Sequence, residues 1–228
     1  MAGEKKQGLQ LLDFWVSPFG QRCRIALDEK GLPYEYLEED LLAGNKSELL
    51  LHANPVHKKI PVLLHDGRPV CESLLIVQYL DEAFPAATPP LLPAAGDPYA
   101  RAQARFWADY VDKKLYDCGT RLWKLKGDGH AQARTEMVEI LRTLEGALGD
   151  GEFFGGEAFG FVDVALVPFT SWFLAYERFG DLSVEKECPR LAAWAKRCAE
   201  RPSVAKNLYS SEKVYEFICG LKKRFGIE

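Results

Sequence analysis

The sequence predicts a mixed α/β unit followed by an all-helical one, and three observations carry that reading. Residues 10–38 run strand, helix, strand; Asp66-Gly67 stands between two short apolar runs; and beyond a proline-rich stretch the strand signals vanish while helical periods continue.

The first apolar run, "LQLLDFW", has strand length and passes at Ser17-Pro18 into a helical stretch, for which Gly31 is a stop signal. Tyr34 to Glu38 alternates as a strand does, so residues 10–38 form a strand-helix-strand unit, right-handed almost without exception. Pro61-Val62-Leu63-Leu64-His65 and Arg68-Pro69-Val70-Cys71 flank Asp66-Gly67, a pair suited to a type I′ turn because both central residues need positive φ. These strands are therefore antiparallel neighbours. Pro69 has no N–H for a ladder, which puts its strand at the sheet edge, and a helix follows from Glu72 through Glu82. The outline, βαβ then ββα over residues 1–84, is thioredoxin-like.

Residues 85–98, within "PAATPPLLPAAGDP", hold five of the thirteen prolines and read as a stiffened linker and domain boundary. From residue 99 to 228 the periods predict a helical bundle: Tyr99 to about Lys126, His130 to Leu148, Phe161 to Phe179, Pro189 to Glu200 and Ser211 to Phe225.

Composition narrows the function classes. At 47% hydrophobic and 27% charged residues the chain is an ordinary globular one. A net charge of -4 gives no general attraction to nucleic acid or anionic lipid. The polar start "MAGEKKQGLQLL" has no apolar segment of signal length, so a cytosolic location is expected. The most apolar region, Phe161 to Tyr176, is interrupted by Asp163, Pro168, Thr170 and Ser171 and reads as a buried helix, not a membrane span. The six cysteines are scattered, with no Cys-x-x-Cys pair and no zinc-ligand spacing, and read as small buried hydrophobes.

Chemistry concentrates at the bend Ser17-Pro18-Phe19-Gly20. A strand-to-helix bend presents free N–H groups and the positive end of a helix dipole, which favours an anion. In a thiol-disulfide oxidoreductase that anion is a cysteine of lowered pKa. Here Ser17 and Gly20 hold the two cysteine places, so no protein disulfide forms and a hydroxyl donor is left for the thiolate of a ligand. Taken alone, Ser17 before Pro18 is equally a helix N-cap. Three further features share this ambiguity. Ile60-Pro61 either opens a strand or, as a cis proline, frees the Ile60 backbone to pair with a bound peptide. Glu72-Ser73 either caps a helix or holds the ammonium and carboxylate of a γ-glutamyl end. His57-Lys58-Lys59, with Lys46, is either a solvated surface or the partner of a second carboxylate.

With these residues assembled, the sequence resembles the cytosolic glutathione S-transferases, most closely their plant tau class, along essentially its whole length. The resemblance rests on "SPFGQRCRIAL" at 17–27, "NPVHKKIPVLLHDG" at 54–67, "ESLLIVQYLDE" at 72–82 and the helical half containing "GFVDVALVPF" at 160–169. It implies that Ser17 is the catalytic serine donating to the glutathione sulfur. It implies further that Glu72 and Ser73 hold the γ-glutamyl end, Ile60 the cysteinyl part, and Lys46 and Lys59 the glycine carboxylate. Phe19 would line the boundary with a second, hydrophobic substrate, whose other candidate contacts are Trp107, Tyr110, Trp172, Phe173 and Tyr215. At helical spacing those aromatics are also core candidates. Where the family often caps its core helix with serine or threonine, this chain has Gly160, three residues before Asp163. The implied protein is a cytoplasmic homodimer with glutathione as co-substrate, no bound cofactor or metal, and no nucleic-acid or membrane partner.

The implied activity is conjugation of the glutathione thiolate to apolar electrophiles such as xenobiotics and herbicides in detoxification and stress response, with reduction of organic hydroperoxides by the same sulfur. A non-catalytic carrier of apolar ligands or glutathione conjugates is the alternative. A thioltransferase would need cysteine at position 17 and is disfavoured.

Overall fold

The structure, a computed structural model, describes residues 8–227. Its chain divides into two compact units, the first ending at Leu92 and the second beginning at Pro93.

The first unit is a four-stranded sheet with three helices. In chain order these are β1 (Leu9–Asp13), α1 (Pro18–Glu29), β2 (Tyr34–Glu38), α2 (Glu48–Ala53), β3 (Val62–His65), β4 (Arg68–Cys71) and α3 (Ser73–Ala83). The sheet order is β2-β1-β3-β4, with β1 and β2 parallel and the other pairs antiparallel. The hairpin forms as its sequence requires, with φ of 49° at Asp66 and 77° at Gly67. Pro69 lies on the edge strand β4, where its missing N–H costs no ladder bond.

Alternation divides the sheet into two faces. Leu12, Val62 and Leu64 pack on Leu50 and Ala53 of α2 in one cluster. Leu11 and Leu63, opposite each other in the ladder and both fully buried, take the other face. Asp13 shares the parity of Leu11 and lies against α1, with its carboxylate ion-paired to Arg24. Helix α2 has no counterpart in the sequence reading, since six residues hold too few turns to show a period. Its one local signal is Ser47, whose hydroxyl accepts from Leu50 N–H at 3.0 Å.

The second unit is helical: α4 (Pro98–Tyr110), a π-helical turn Val111–Leu115, α5 (Tyr116–Lys124), α6 (Gly127–Leu148), α7 (Phe161–Leu166), a 3-10 segment Val167–Trp172, α8 (Phe173–Gly180), α9 (Val184–Glu187), α10 (Pro189–Ala199), α11 (Pro202–Asn207) and α12 (Ser211–Arg224). Two expectations need correction. The helix expected from Tyr99 to Lys126 is interrupted by the π turn, and the one from Phe161 to Phe179 by the 3-10 segment, which carries Pro168 in its first turn. Both interruptions keep a near-helical apolar period, so periodicity alone passes over them.

The N-terminus of α7 is closed by Asp163. Its carboxylate accepts from Gly160 N–H at 2.9 Å, Phe154 N–H at 3.1 Å and Trp194 Nε1–H at 2.8 Å. Gly160 supplies no capping side chain, and Asp163 reaches back to do that work. Burial raises the Asp163 carboxyl to about 6, against these three hydrogen bonds.

Candidate active site

Register decides what meets at the ends of β1, β3 and β4. Leu12 pairs with Val62, and Val62 with Cys71. The exit of β1 toward Ser17, the Ile60-Pro61 entry to β3 and the exit of β4 toward Glu72-Ser73 therefore lie at one end of the sheet. Segments separated in sequence, the first 43 residues before the second and the second 12 before the third, make one edge because two antiparallel ladders turn them there.

At that edge Ser17 is the N-cap of α1. Its Oγ accepts from Gly20 N–H at 3.3 Å, and its backbone carbonyl accepts from Gln21 N–H at 3.0 Å. Capping uses a lone pair on the hydroxyl and leaves its proton to be donated. The two readings of Ser17, cap and donor, are thus compatible in one side chain. Ser17 is 9% exposed, enough to meet a ligand atom and little enough for that contact to be poorly screened.

Ile60-Pro61 is cis. Among the described residues no backbone hydrogen bond is seen at the N–H or C=O of Ile60, which precedes β3 and lies outside its ladder. The loop before it is held by Asn54, whose Oδ1 accepts from His57 N–H at 3.1 Å and whose Nδ2 donates to the Lys59 carbonyl at 2.9 Å. Lys46 donates its Nζ to the Lys58 carbonyl, which brings its charge to the same loop as Lys59. Both lysines are exposed.

Glu72 adopts a φ of 72°, in the left-handed region that non-glycine residues rarely enter. It makes no side-chain capping bond and is exposed, its carboxylate held out at the start of α3. Backbone strain of this kind concentrates where geometry serves a ligand. Ser73 beside it is buried and accepts from Arg22 Nη1 at 3.1 Å, again keeping its own proton. The same Arg22 guanidinium lies 5.1 Å over the Phe19 ring. Cys23 joins the two helix starts: its thiol reaches the Phe19 carbonyl at 3.7 Å and the Ser73 carbonyl at 4.0 Å. Burial, together with the nearby Asp13 charge, pushes that thiol well above its ordinary range, so it is packing and not a nucleophile.

One residue of this edge went unread in the sequence. Asp13, fully buried at the end of β1, has its Oδ2 3.1 Å from Arg24 Nε and sits directly beneath Gly20. Burial raises its carboxyl to about 7, with Arg24 pulling the other way and Glu38 adding to the rise. The only signal for it is a lone acid inside the apolar run "LQLLDFW".

The aromatic candidates of the second unit occupy three separate places. Trp107 and Tyr110 meet edge to face at 5.7 Å on α4, immediately before the π turn. Trp172 and Phe173 are each 8% exposed, and Trp172 Nε1 is buried with no hydrogen-bond partner. Tyr215 on α12 stacks obliquely on Phe179 at 5.4 Å. Among the described residues no ring contact links these three groups.

Comparison with known proteins places the chain in a family. Residues 11–90 match the family model described as glutathione S-transferase, N-terminal domain, and residues 127–197 the model for the C-terminal domain. A probable glutathione S-transferase GSTU1 of Oryza sativa subsp. japonica is 68% identical over the full length of both chains. The crystal structure of rice GST1 (OsGSTU1) in complex with glutathione superposes with a TM-score of 0.92 at 67% identity, over 97% of this chain and 99% of that one. A tau-class glutathione S-transferase from mango, Mangifera indica, gives 0.87 at 41% identity over 95% of this chain and all of its own. On its fold, its edge of capped helix starts and these relatives, the chain belongs to the glutathione S-transferase family, in the tau class, and is an enzyme of that kind.

Proposed function

We propose that the chain binds glutathione at the Ser17 edge, ionises its thiol by hydrogen-bond donation from the serine hydroxyl, and conjugates the sulfur to apolar electrophiles. The reading is supported by the convergence of Ser17, the unpaired Ile60 backbone and Ser73 at one end of the sheet, and by the glutathione that the rice relative holds at 67% identity. Lys46 and Lys59 take the glycine carboxylate, and Glu72 with Ser73 the γ-glutamyl end. Phe19, Trp107, Tyr110, Trp172, Phe173 and Tyr215 are the candidate contacts for the apolar electrophile. The same thiolate reduces organic hydroperoxides. The functional form is a cytoplasmic homodimer.

The energetics are of the required size. A thiol of pKa near 8.5 is only about 3% ionised at neutral pH. A fall of about two units makes the thiolate the majority form and needs about 2.7 kcal/mol. A charge-assisted hydrogen bond of about 1.5–3 kcal/mol and a helix N-terminus of about 0.3–1 kcal/mol supply it. The serine acts as donor only, and no base beside it is required.

The test is steady-state conjugation with aryl halides, isothiocyanates and lipid hydroperoxides. Ser17→Ala is expected to lose about 10²-fold in kcat, the scale of removing one anion-stabilising donor, while KM for glutathione stays within about threefold because its two ends are held elsewhere. An unchanged kcat would contradict the serine role. Absence of turnover in the unaltered chain, with tight retention of apolar dyes, would favour a carrier.

A further inference from the structure

Asp13 is a buried acid that the chemistry above leaves unused. Its carboxylate lies against the first turn of α1: a Cβ built on Gly20 would stand 1.6 Å from its Oδ1 and 1.9 Å from its Cγ. Gly20 is the residue whose N–H donates to the capping Ser17 hydroxyl. From Asp13 through Gly20 to the Ser17 hydroxyl there is therefore a continuous contact, in a place where the acid is fully buried.

We propose that Asp13 is a positioning residue for thiol ionisation: its carboxyl and the bound glutathione sulfur share one negative charge beneath the first turn of α1, so Asp13 takes up a proton when the thiolate forms. The inference rests on the reading of Ser17 as the residue that meets the sulfur. Two anions held by the same helix start repel, and in a poorly solvated place one of them is neutralised.

The surrounding charges favour that sharing. On α1 stand Arg24, paired with Asp13, and Arg22, with the protonated Cys23 thiol between them. On the neighbouring strand β2 stand Glu38, opposite Asp13 in the ladder, and the neutral phenols Tyr34 and Tyr36. The end of β3 nearest Asp13 offers only Val62. Arg24 is the cation paired with Asp13 and Glu38 stands opposite it in the ladder, so a thiolate arriving at the same helix start adds a negative charge that a proton on Asp13 offsets. The proton balance is simple. The thiol S–H breaks and its proton goes to solvent, an O–H forms on Asp13 with a proton taken from solvent, and nothing is oxidised or reduced.

The experiment pairs two readings on the glutathione complex. Thiolate absorbance against pH gives the amount of ionised sulfur, and calorimetric titration with glutathione, in two buffers of different ionisation enthalpy, gives the protons released. In the unaltered chain near neutral pH, fewer protons should be released than thiolates formed. In Asp13→Asn the two should agree, and the thiol pKa should fall by about one unit, tenfold in the thiolate-to-thiol ratio. Protons equal to thiolates in the unaltered chain would overturn the proposal without need of a folded variant, as would an Asp13→Asn titration curve that coincides with it. A complex that binds glutathione and shows no thiolate would instead overturn the Ser17 reading, and this one with it.

Discussion

Gly20 is glycine because of what lies under it, not because of its backbone. The space for its Cβ is filled by the Asp13 carboxylate, which is fully buried and paired with Arg24, so an added methyl forces that carboxylate to shift. Gly20→Ala is therefore expected to destabilise the fold by about 3 kcal/mol, the upper end for overpacking, although alanine is the better helix former. A urea melt with an unshifted midpoint would contradict this. At this scale the sequence shows Ser17 plainly, since a strand running into Ser-Pro announces both a cap and an anion site. Asp13 it hides, because alternation says which residues share a face and not which face a later helix covers. Ile60, Glu72 and Ser73 are legible only through the company they keep. What was absent from the sequence was the positive φ of Glu72 and the Arg22 contact that fixes Ser73.

Among the elements, the hairpin and the edge strand follow from local chemistry: Asp-Gly accepts positive φ, and proline has no donor. Helix α2 and the short α9 and α11 escape, being too brief for a period to show. The π turn escapes for another reason, since one extra residue per turn over five residues shifts the apolar stripe less than a side chain's reach. The α7 cap was partly legible: Gly160 and Asp163 three residues on mark a helix start, but nothing local reveals that Trp194, 31 residues further, donates to the same carboxylate. Asp163→Ala strands three donors at once, two backbone and one indole. It should cost about 3–5 kcal/mol, the range for leaving buried groups of a charged network unpaired. Differential scanning calorimetry would register this as a fall in Tm, and a loss below about 1 kcal/mol would show that water replaces the carboxylate there.

At the scale of the chain, the proline-rich stretch was visible as a boundary, yet the first unit runs on to Leu92. The cause is a polar anchor that composition does not reveal. Buried Lys30 donates its Nζ to Asp81 and to the Ala87 carbonyl, each at 2.8 Å, while Asp81 accepts from the N–H groups of Leu91 and Leu92. Both leucines are then buried, within a stretch whose other residues are mostly exposed. The account as a whole turns on whether a neutral hydroxyl at a helix start lowers the pKa of a ligand's thiol. The direct measurement is the pH titration of thiolate absorbance for glutathione bound to the unaltered chain and to Ser17→Ala. A bound thiol with a pKa about two units below that of free glutathione, returning most of the way in the alanine variant, is the expected result. Superimposable titration curves for the two proteins would contradict it.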